Sequence, residues 1–545
     1  MKSPIQLLRT LVTCVGWVYS PTICWFGERG NGGRVHPSYE MPRLLAALKN
    51  LARARASKAC GGITPSPPYS GERGPEKAGL IAHVYFVACS VLIAGCNFAP
   101  TYEKPGVEIP EAFKEAWKTA EPSDADIRGK WWEAFHEPDL NALEAQAAIS
   151  NQSVAVGMAN FAAARAVVNQ AQSQYFPTVG VSPSASKSRQ SVQNSSGNLS
   201  AVTRTEYALP FDASWELDFW GRIRNTVSAS TLEAQATQAD LENVQLAMQA
   251  EVAVDYFEVR ILDAQKEIAD AAVLSYRESL RLTQIQSGTG VASDQDVAEA
   301  ESQLNIALAQ ATDIGILRAQ LEHAIATLLG KPASSFSMPA NPFAASVVAT
   351  PAGVPSRLLE RRPDVAAAER RVAEANAQIG VARAAYFPTV TLAGSVGFQN
   401  SSVGNLLSEP GFVWSLGATM AQALFDGGRR LAVTEQAWAN YQAIAANYRL
   451  TVLAAFQDVE DNLSTLRILS QEIAQQNAAV ESSQRFLTLE NLRFQSGVDG
   501  YLSVAAAQTT LLNNQRIAMT LRMQQMVASV QLIKALGGGW EIEPR

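Results

Sequence analysis

Beyond residue 96 the chain has no cysteine. All five (Cys14, Cys24, Cys60, Cys89, Cys96) lie at or before that point. No disulfide and no thiolate metal site can form within the rest of the chain. Histidine is scarce as well: of four, only His136 and His323 lie past residue 96. Zinc chemistry and Ser-His catalysis are poorly supplied. No Gly-x-Ser-x-Gly, His-Glu-x-x-His or P-loop pattern occurs, so the sequence reads as a non-enzyme without a cofactor. Positive charge is also short. Residues 1–95 hold 11 of the 44 Lys and Arg but 4 of the 51 Asp and Glu, leaving 33 bases against 47 acids. A body with a formal charge of −14 is a poor partner for phosphate backbones, which excludes nucleic acid.

Proline and glycine are missing in long windows. No Pro occurs between Pro210 and Pro332, or between Pro410 and Pro544. No Gly occurs over 222–287 or 429–496. Proline breaks helix interiors, so the two proline-free gaps are where long helices can exist. A helix filling either glycine-free window would be about 100 Å long at 1.5 Å per residue. Ordinary globular helices run 8–20 residues, so a coiled coil or helical barrel is expected. Each window ends at a glycine, Gly288 or Gly497, expected in the left-handed conformation that closes a last helical turn. Amphipathic runs over 293–329 and 502–536 follow at once. Each pair therefore reads as a helical hairpin with a tight tip. Shorter helices are expected over 139–173 and 364–385.

What is present is said twice. Tyr175-Phe176-Pro177-Thr178-Val179 returns as Tyr386-Phe387-Pro388-Thr389-Val390, 211 residues later. Leu217-Asp218-Phe219-Trp220-Gly221-Arg222 is answered by Leu424-Phe425-Asp426-Gly427-Gly428-Arg429, and Gln286-Ser287-Gly288 by Gln495-Ser496-Gly497. Three landmarks in one order define an internal repeat.

Between helix and helix, each repeat carries alternating segments. From Tyr207 one face reads Tyr207, Leu209, Phe211, Ala213, Trp215, Leu217, Phe219; the other carries Glu206, Asp212, Glu216 and Asp218. Val390, Leu392, Val396 and Phe398 alternate with polar residues over 390–399, and Phe412, Trp414, Leu416, Ala418 and Met420 form one face over 412–420. A first strand near 179–188 alternates weakly. Period-two alternation over about ten residues marks a membrane barrel strand; a soluble sandwich strand is the alternative. Four strands cannot close a barrel, and an open edge in lipid leaves backbone groups unpaired. Three copies give twelve strands and a water-filled lumen lined by acids, which predicts cation preference.

The start of the chain has its own signal. Residues 78–95 are free of Asp, Glu, Lys and Arg, follow Lys77, and end Ile93-Ala94-Gly95 before Cys96. A basic flank, an apolar stretch and small residues before a cut describe a secretory signal peptide; a transmembrane helix is the alternative. Residues 1–77 fit neither and are set aside as a doubtful extension.

These features resemble the TolC-like outer-membrane factor family, in its lipoprotein branch of multidrug exporters. The resemblance covers about 96–540. It rests on Cys96 with Pro100, Tyr102 and Pro105; on Leu359-Glu360-Arg361-Arg362-Pro363-Asp364-Val365; on the two Tyr-Phe-Pro-Thr-Val copies; and on Lys534-Ala535-Leu536-Gly537-Gly538-Gly539-Trp540. It implies a mixed α+β membrane protein: a trimeric 12-stranded outer-membrane β-barrel continued by a long periplasmic α-helical barrel. It implies a lipid on Cys96, and as partners a homotrimer, a periplasmic adaptor, an inner-membrane pump and outer-membrane lipid. Domains follow: signal peptide 78–95, anchored segment 96–138, first repeat 139–331, inter-repeat segment 332–363, second repeat 364–536 and tail 537–545. In relatives the hairpin tips close the periplasmic entrance, so Asp294, Asp296, Arg493, Asp499 and Tyr501, with the turns at Gly288 and Gly497, are the candidate gate. Efflux of drugs or small solutes is the implied function. A type I protein secretion duct shares the architecture, and a non-conducting periplasmic coiled-coil adaptor is the third reading.

Overall fold

The structure is a computed structural model that describes residues 97–107, 109–110, 113–114, 129–193, 199–341 and 362–538. All fall within one compact unit, 82–545. Cys96, the signal segment, Leu359-Glu360-Arg361 and Gly539-Trp540 lie outside the described residues.

The elements run α1 (Pro138–Ser150), α2 (Gln152–Ser173), β1 (Thr178–Val181), β2 (Ser184–Gln193), β3 (Leu199–Leu217), α3 (Arg222–Gly288), α4 (Asp294–Leu328), α5 (Pro363–Ala384), β4 (Thr389–Asn400), β5 (Phe412–Ala421), α6 (Arg429–Gln495) and α7 (Tyr501–Ala535). The glycine-free windows are helices throughout. α3 and α6 each have 67 residues, and the return helices α4 and α7 each have 35. The repeat is thus metrical as well as sequential.

Three local expectations are corrected. The stretch expected as one helix over 139–173 is two. Asn151 breaks it with extended backbone, and its side chain accepts from the amides of Ser153 and Val154 to start α2. An Asn able to cap a helix competes with continuing one. The first strand is two segments, interrupted at Ser182-Pro183, where Pro183 has no N–H to donate. β1 and β2 keep one register on β3, with Val181 opposite Phe211 and Ser184 opposite Ala208. The second strand starts at Leu199 rather than near Tyr207.

The sheet is antiparallel, with β3 and β4 central. Tyr207 to Leu217 faces Asn400 to Val390 on β4, and Phe398 to Thr389 faces Phe412 to Ala421 on β5. β1–β2 and β5 are its edges. Val179, Val181, Phe211, Val396, Phe412, Trp414, Leu416 and Met420 share one face and are all exposed. From Phe412 to Met420 the apolar run is about 27 Å along the strand, close to the ~25 Å apolar band of membrane barrels. Among the described residues no helix is long and apolar enough to cross a membrane.

The core lies along the helices. One cluster joins Trp131, Phe135 and Leu140 to Tyr256, Phe257 and Ile261 of α3, Ile325 of α4, and Met526 and Val530 of α7. A second joins Val365 and Val372 of α5 to Tyr448, Val452 and Phe456 of α6 and Leu532 of α7. Arg362 ties the entry to α5. It pairs with Asp364 at 2.7 Å, with Asp458 of α6 at 3.1 Å, and donates to the Ala535 carbonyl ending α7. Pro363 sits in the first helical turn, where its missing N–H costs nothing.

Candidate functional site: the hairpin tips and their polar clips

The first tip is closed by a glycine, but by Gly290 and not Gly288. Gly288 ends α3, while Gly290 takes φ +79°. The amides of Gly290 and Val291 bond the carbonyls of Ser287 and Gln286 at 2.9 Å each. At the second tip Gly497 has φ +71°, and the amides of Gly497 and Val498 bond Phe494 and Arg493. Both turns are left-handed helix caps. The equivalent of Gly497 is Gly290, two residues past the motif echo, because helix ends follow the spacing of Arg222 to Arg429.

The tip acids divide into two kinds. Asp296 closes a capping box: its carboxylate accepts from the Ser293 amide and hydroxyl at 2.8 Å each. Those bonds hold its carboxyl below the usual range. Asp294 accepts from the Ser287 hydroxyl across the turn at 3.4 Å. Both acids therefore serve the first hairpin itself. At the second tip Arg493 is paired with Asp499. Its hydrogen bond to Arg493 depresses the Asp499 carboxyl, and the same bond raises Arg493.

Tyr501 is 1 % exposed and packs edge-on against Phe494 at 6.3 Å. Around them lie Leu487 of α6, Ala300 of α4, and Val504, Ala505, Ala507 and Leu511 of α7. Burial pushes the phenol well above its ordinary range, and its hydroxyl has no hydrogen-bond partner among the described residues. The alanines let the helices approach closely. An apolar plug shared between the two hairpins thus underlies the tip.

Sequence reading missed the polar clips above this plug. Gln508 of α7 is buried, and its amide donates to the hydroxyls of Ser275 and Ser279 of α3 at 2.9 Å each. Tyr276 and Thr509 bond at 3.2 Å beside it. Asn514 donates to Ser483 of α6 at 2.6 Å and accepts at its carbonyl from Gln476. The first two clips join the second hairpin to the first; the third lies within the second. The available signal was a lone Gln straight after Ala505-Ala506-Ala507, a polar side chain on a small-residue seam. Gln508 is satisfied on its donor side only, since its buried carbonyl oxygen has no partner among the described residues, and removing its hydroxyl partners would leave the whole amide unpaired at a larger cost.

Of the acids expected on the lumen face, two are neutralised. Glu216 is bidentate with Arg222 at 2.7 and 2.8 Å. Asp218 pairs with Arg224 and accepts from the amides of Ile223 and Arg224, capping α3. Asp212 accepts from Ser182.

A sheet with two open edges, an apolar outward face and helices of about 100 Å below it defines an outer-membrane channel subunit, a conduit and not an enzyme. The chain belongs to the outer membrane efflux protein family, whose family model matches residues 143–331 and 354–538. In fold class it is a mixed α+β membrane protein of the outer-membrane channel type, with long helices continuing a β-sheet. The chain is 30 % identical over 464 residues to the pyoverdine export outer membrane protein OpmQ of Pseudomonas aeruginosa, covering 84 % of this chain and 96 % of that protein. It is 30 % identical to the toluene efflux pump outer membrane protein TtgI of Pseudomonas putida, covering 83 % and 97 %. The solved structure of the outer-membrane channel OprN matches with a TM-score of 0.76 at 28 % identity, over 82 % of this chain and all of that one. The protein is an outer-membrane channel component of an efflux system.

Proposed function

We propose that three copies form a duct for small organic solutes, lipid-anchored at Cys96 and gated at the hairpin tips. A periplasmic adaptor, bound with an inner-membrane pump, docks at those tips. The observation that carries this reading is a mismatch inside the repeat. α5 packs on both α3 and α6, whereas its counterpart α2 packs extensively on α3 alone. α7 packs on α3, whereas its counterpart α4 lacks the equivalent neighbour. β3 pairs with β4, whereas β5 and β1–β2 end the sheet. Exposed apolar side chains lie on the unmatched helices: Val156, Met158 and Val167 on α2, Ile316 and Leu317 on α4, Leu450, Leu453 and Ile468 on α6. Each missing contact is supplied if α6 and β5 of one copy meet α2, α4 and β1–β2 of the next. Such a head-to-tail contact generates a closed ring when its rotation closes, here after three copies.

The lipid reading has geometric support of its own. Asn97, next to Cys96, accepts from Asn225 at 3.0 Å, and Phe98 lies against Trp220 and Phe387. These residues mark the junction of strands and helices, the height at which an acyl chain reaches the inner leaflet.

Solute cargo is favoured over secreted protein by the relatives, a pyoverdine export protein and a toluene efflux pump protein. The test is complementation. A strain lacking this gene should accumulate a small hydrophobic dye, and the intact gene should reverse it. Unchanged dye accumulation, with loss of a secreted protein instead, would favour type I secretion.

A further inference from the structure

On the outward face of the sheet the apolar pattern changes sign at its outer end. Going up β3, Leu217, Trp215, Ala213, Phe211 and Leu209 lead to Tyr207, then to Thr205 and Thr203. Opposite Thr205 and Thr203 on β2 stand Lys187 and Arg189. The side-chain period is two and β1–β2 keeps one register on β3 across Pro183. Lys187 and Arg189 therefore share the face of Val179 and Val181, the lipid face. Both are exposed, and neither has an ion pair among the described residues. The acids of this region, Glu206 and Asp212, lie on the opposite face with Arg204. In the three-copy reading above, β2 is also the edge that receives β5 of the next copy, and the outer end of β5 carries the exposed aromatics Phe412 and Trp414.

We propose that Lys187 and Arg189 form a binding site for the phosphate of the phosphorylated glycolipid in the outer leaflet, one site per copy. The position supplies the chemistry. Two residues apart on one strand, the two cations stand about 7 Å from each other, and both reach a single phosphate. Arg offers a planar fork to phosphate oxygens, and Lys a mobile point charge. An unpaired cation on a lipid-facing strand is unfavourable at mid-depth and becomes favourable only at the headgroup level, just beyond the Tyr207 ring. Long side chains extend from the strand to that level. The outer end is assigned by the chain itself, since both long hairpins leave the opposite end of the sheet. The aromatic rings at the neighbouring edge give the sugar and upper acyl region an amphipathic wall. The inference rests on the trimeric barrel reading, so the test keeps the two apart.

The experiment is native mass spectrometry of the intact trimer in mild detergent, titrated with bisphosphorylated lipid A. Parallel arms use dephosphorylated lipid A and phosphatidylglycerol. The parent should hold up to three bisphosphorylated lipids per trimer and bind the other two lipids more weakly. K187Q/R189Q should weaken that binding by about 30-fold, with dephosphorylated lipid A unaffected. R204Q, on the lumen face, should bind like the parent. Retention of the trimer mass by every variant separates this result from failure of the barrel. Equal lipid binding by parent and K187Q/R189Q overturns the proposal. Equal affinity of the parent for phosphatidylglycerol overturns the assignment to the glycolipid.

Discussion

The ring of Phe98 stacks on that of Phe387, with centroids 4.2 Å apart and planes within 16° of parallel. Trp220 also stacks on Phe387, at 5.0 Å, and its indole N–H donates to the Pro388 carbonyl. The second Tyr-Phe-Pro copy thus does two things: it turns a helix into a strand and offers a ring on which the segment following residue 96 lies. The segment continues down α5 through Asn376 donating to the Pro100 carbonyl and Tyr102 donating to Glu369.

Lipidation and this stack should be separable. The intact mass of the membrane-extracted protein should correspond to a chain beginning at Cys96 plus acyl groups. A mature chain that retains Lys77 contradicts the lipoprotein reading. Phe98→Ala should change that mass only by the substituted side chain but free the segment beyond it, lowering stability by about 1 kcal/mol. Faster proteolysis at Lys104 is the readout.

The tip acids should not behave alike. Asp294→Ala/Asp296→Ala removes local caps, so the first hairpin should lose about 1 kcal/mol of helix stability with resting conductance unchanged. Arg493→Ala breaks the pair with Asp499, and Gln508→Ala breaks the clip to Ser275 and Ser279. Either should raise single-channel conductance while circular dichroism stays constant. Conductance unchanged in both would show that the closed tip is held by the Tyr501 plug alone.

Two buried carboxyls make stability depend on pH. Glu144 is fully buried with neither oxygen partnered, and burial pushes it up to about 9. Burial, then repulsion from Glu251 and Glu258, pushes Asp255 up to about 7. A carboxyl with a raised folded pKa is more readily protonated folded than unfolded. Its stabilising contribution is complete below the unfolded value near 4 and is lost as pH rises through the folded value. Melting temperature in detergent should therefore fall between about pH 5 and 9. Glu144→Gln should flatten the fall above about pH 7, and Asp255→Asn should make it shallower below that value. Parallel curves for parent and variants contradict this.

Cation preference should be weak rather than strong. Glu216 and Asp218 are paired with Arg222 and Arg224, and Arg204 shares the lumen face with Glu206 and Asp212. Glu206→Gln/Asp212→Asn should bring the reversal potential in a salt gradient close to zero. The parent's preference should shrink as salt shortens the screening length below about 8 Å.

The fold was legible where the sequence repeats or omits something. Missing proline and glycine marked α3 and α6 to within a residue or two, because one proline would have broken them. Alternation marked β3, β4 and β5, because one face meets lipid. The misses are short-range competitions. Asn151 stopped a helix by capping the next one, and Pro183 interrupted a strand without changing its register. The motif echo pointed to Gly288, although the turn conformation falls on Gly290. At the tip the place of Arg493 and Asp499 beside a turn was legible, but their pairing and the burial of Tyr501 against Phe494 were not. Gln508 was not, since which seam buries it depends on the packing of α7 against α3.

The closure of three chains through the repeat is the central claim, and one cross-link tests it. The repeat offsets carry the observed pair Ala208–Gln399 between β3 and β4 onto Ser415 of β5 and Ser188 of the next copy's β2. No native cysteine lies beyond Cys96, so Ser188→Cys/Ser415→Cys carries a clean thiol pair. Treated in the membrane with a short bis-maleimide, this variant should give a denaturing-gel ladder of monomer, dimer and trimer that stops at trimer. Each single variant should stay monomeric. No cross-link in the double variant, or a ladder running past the trimer, would contradict the closed three-copy barrel.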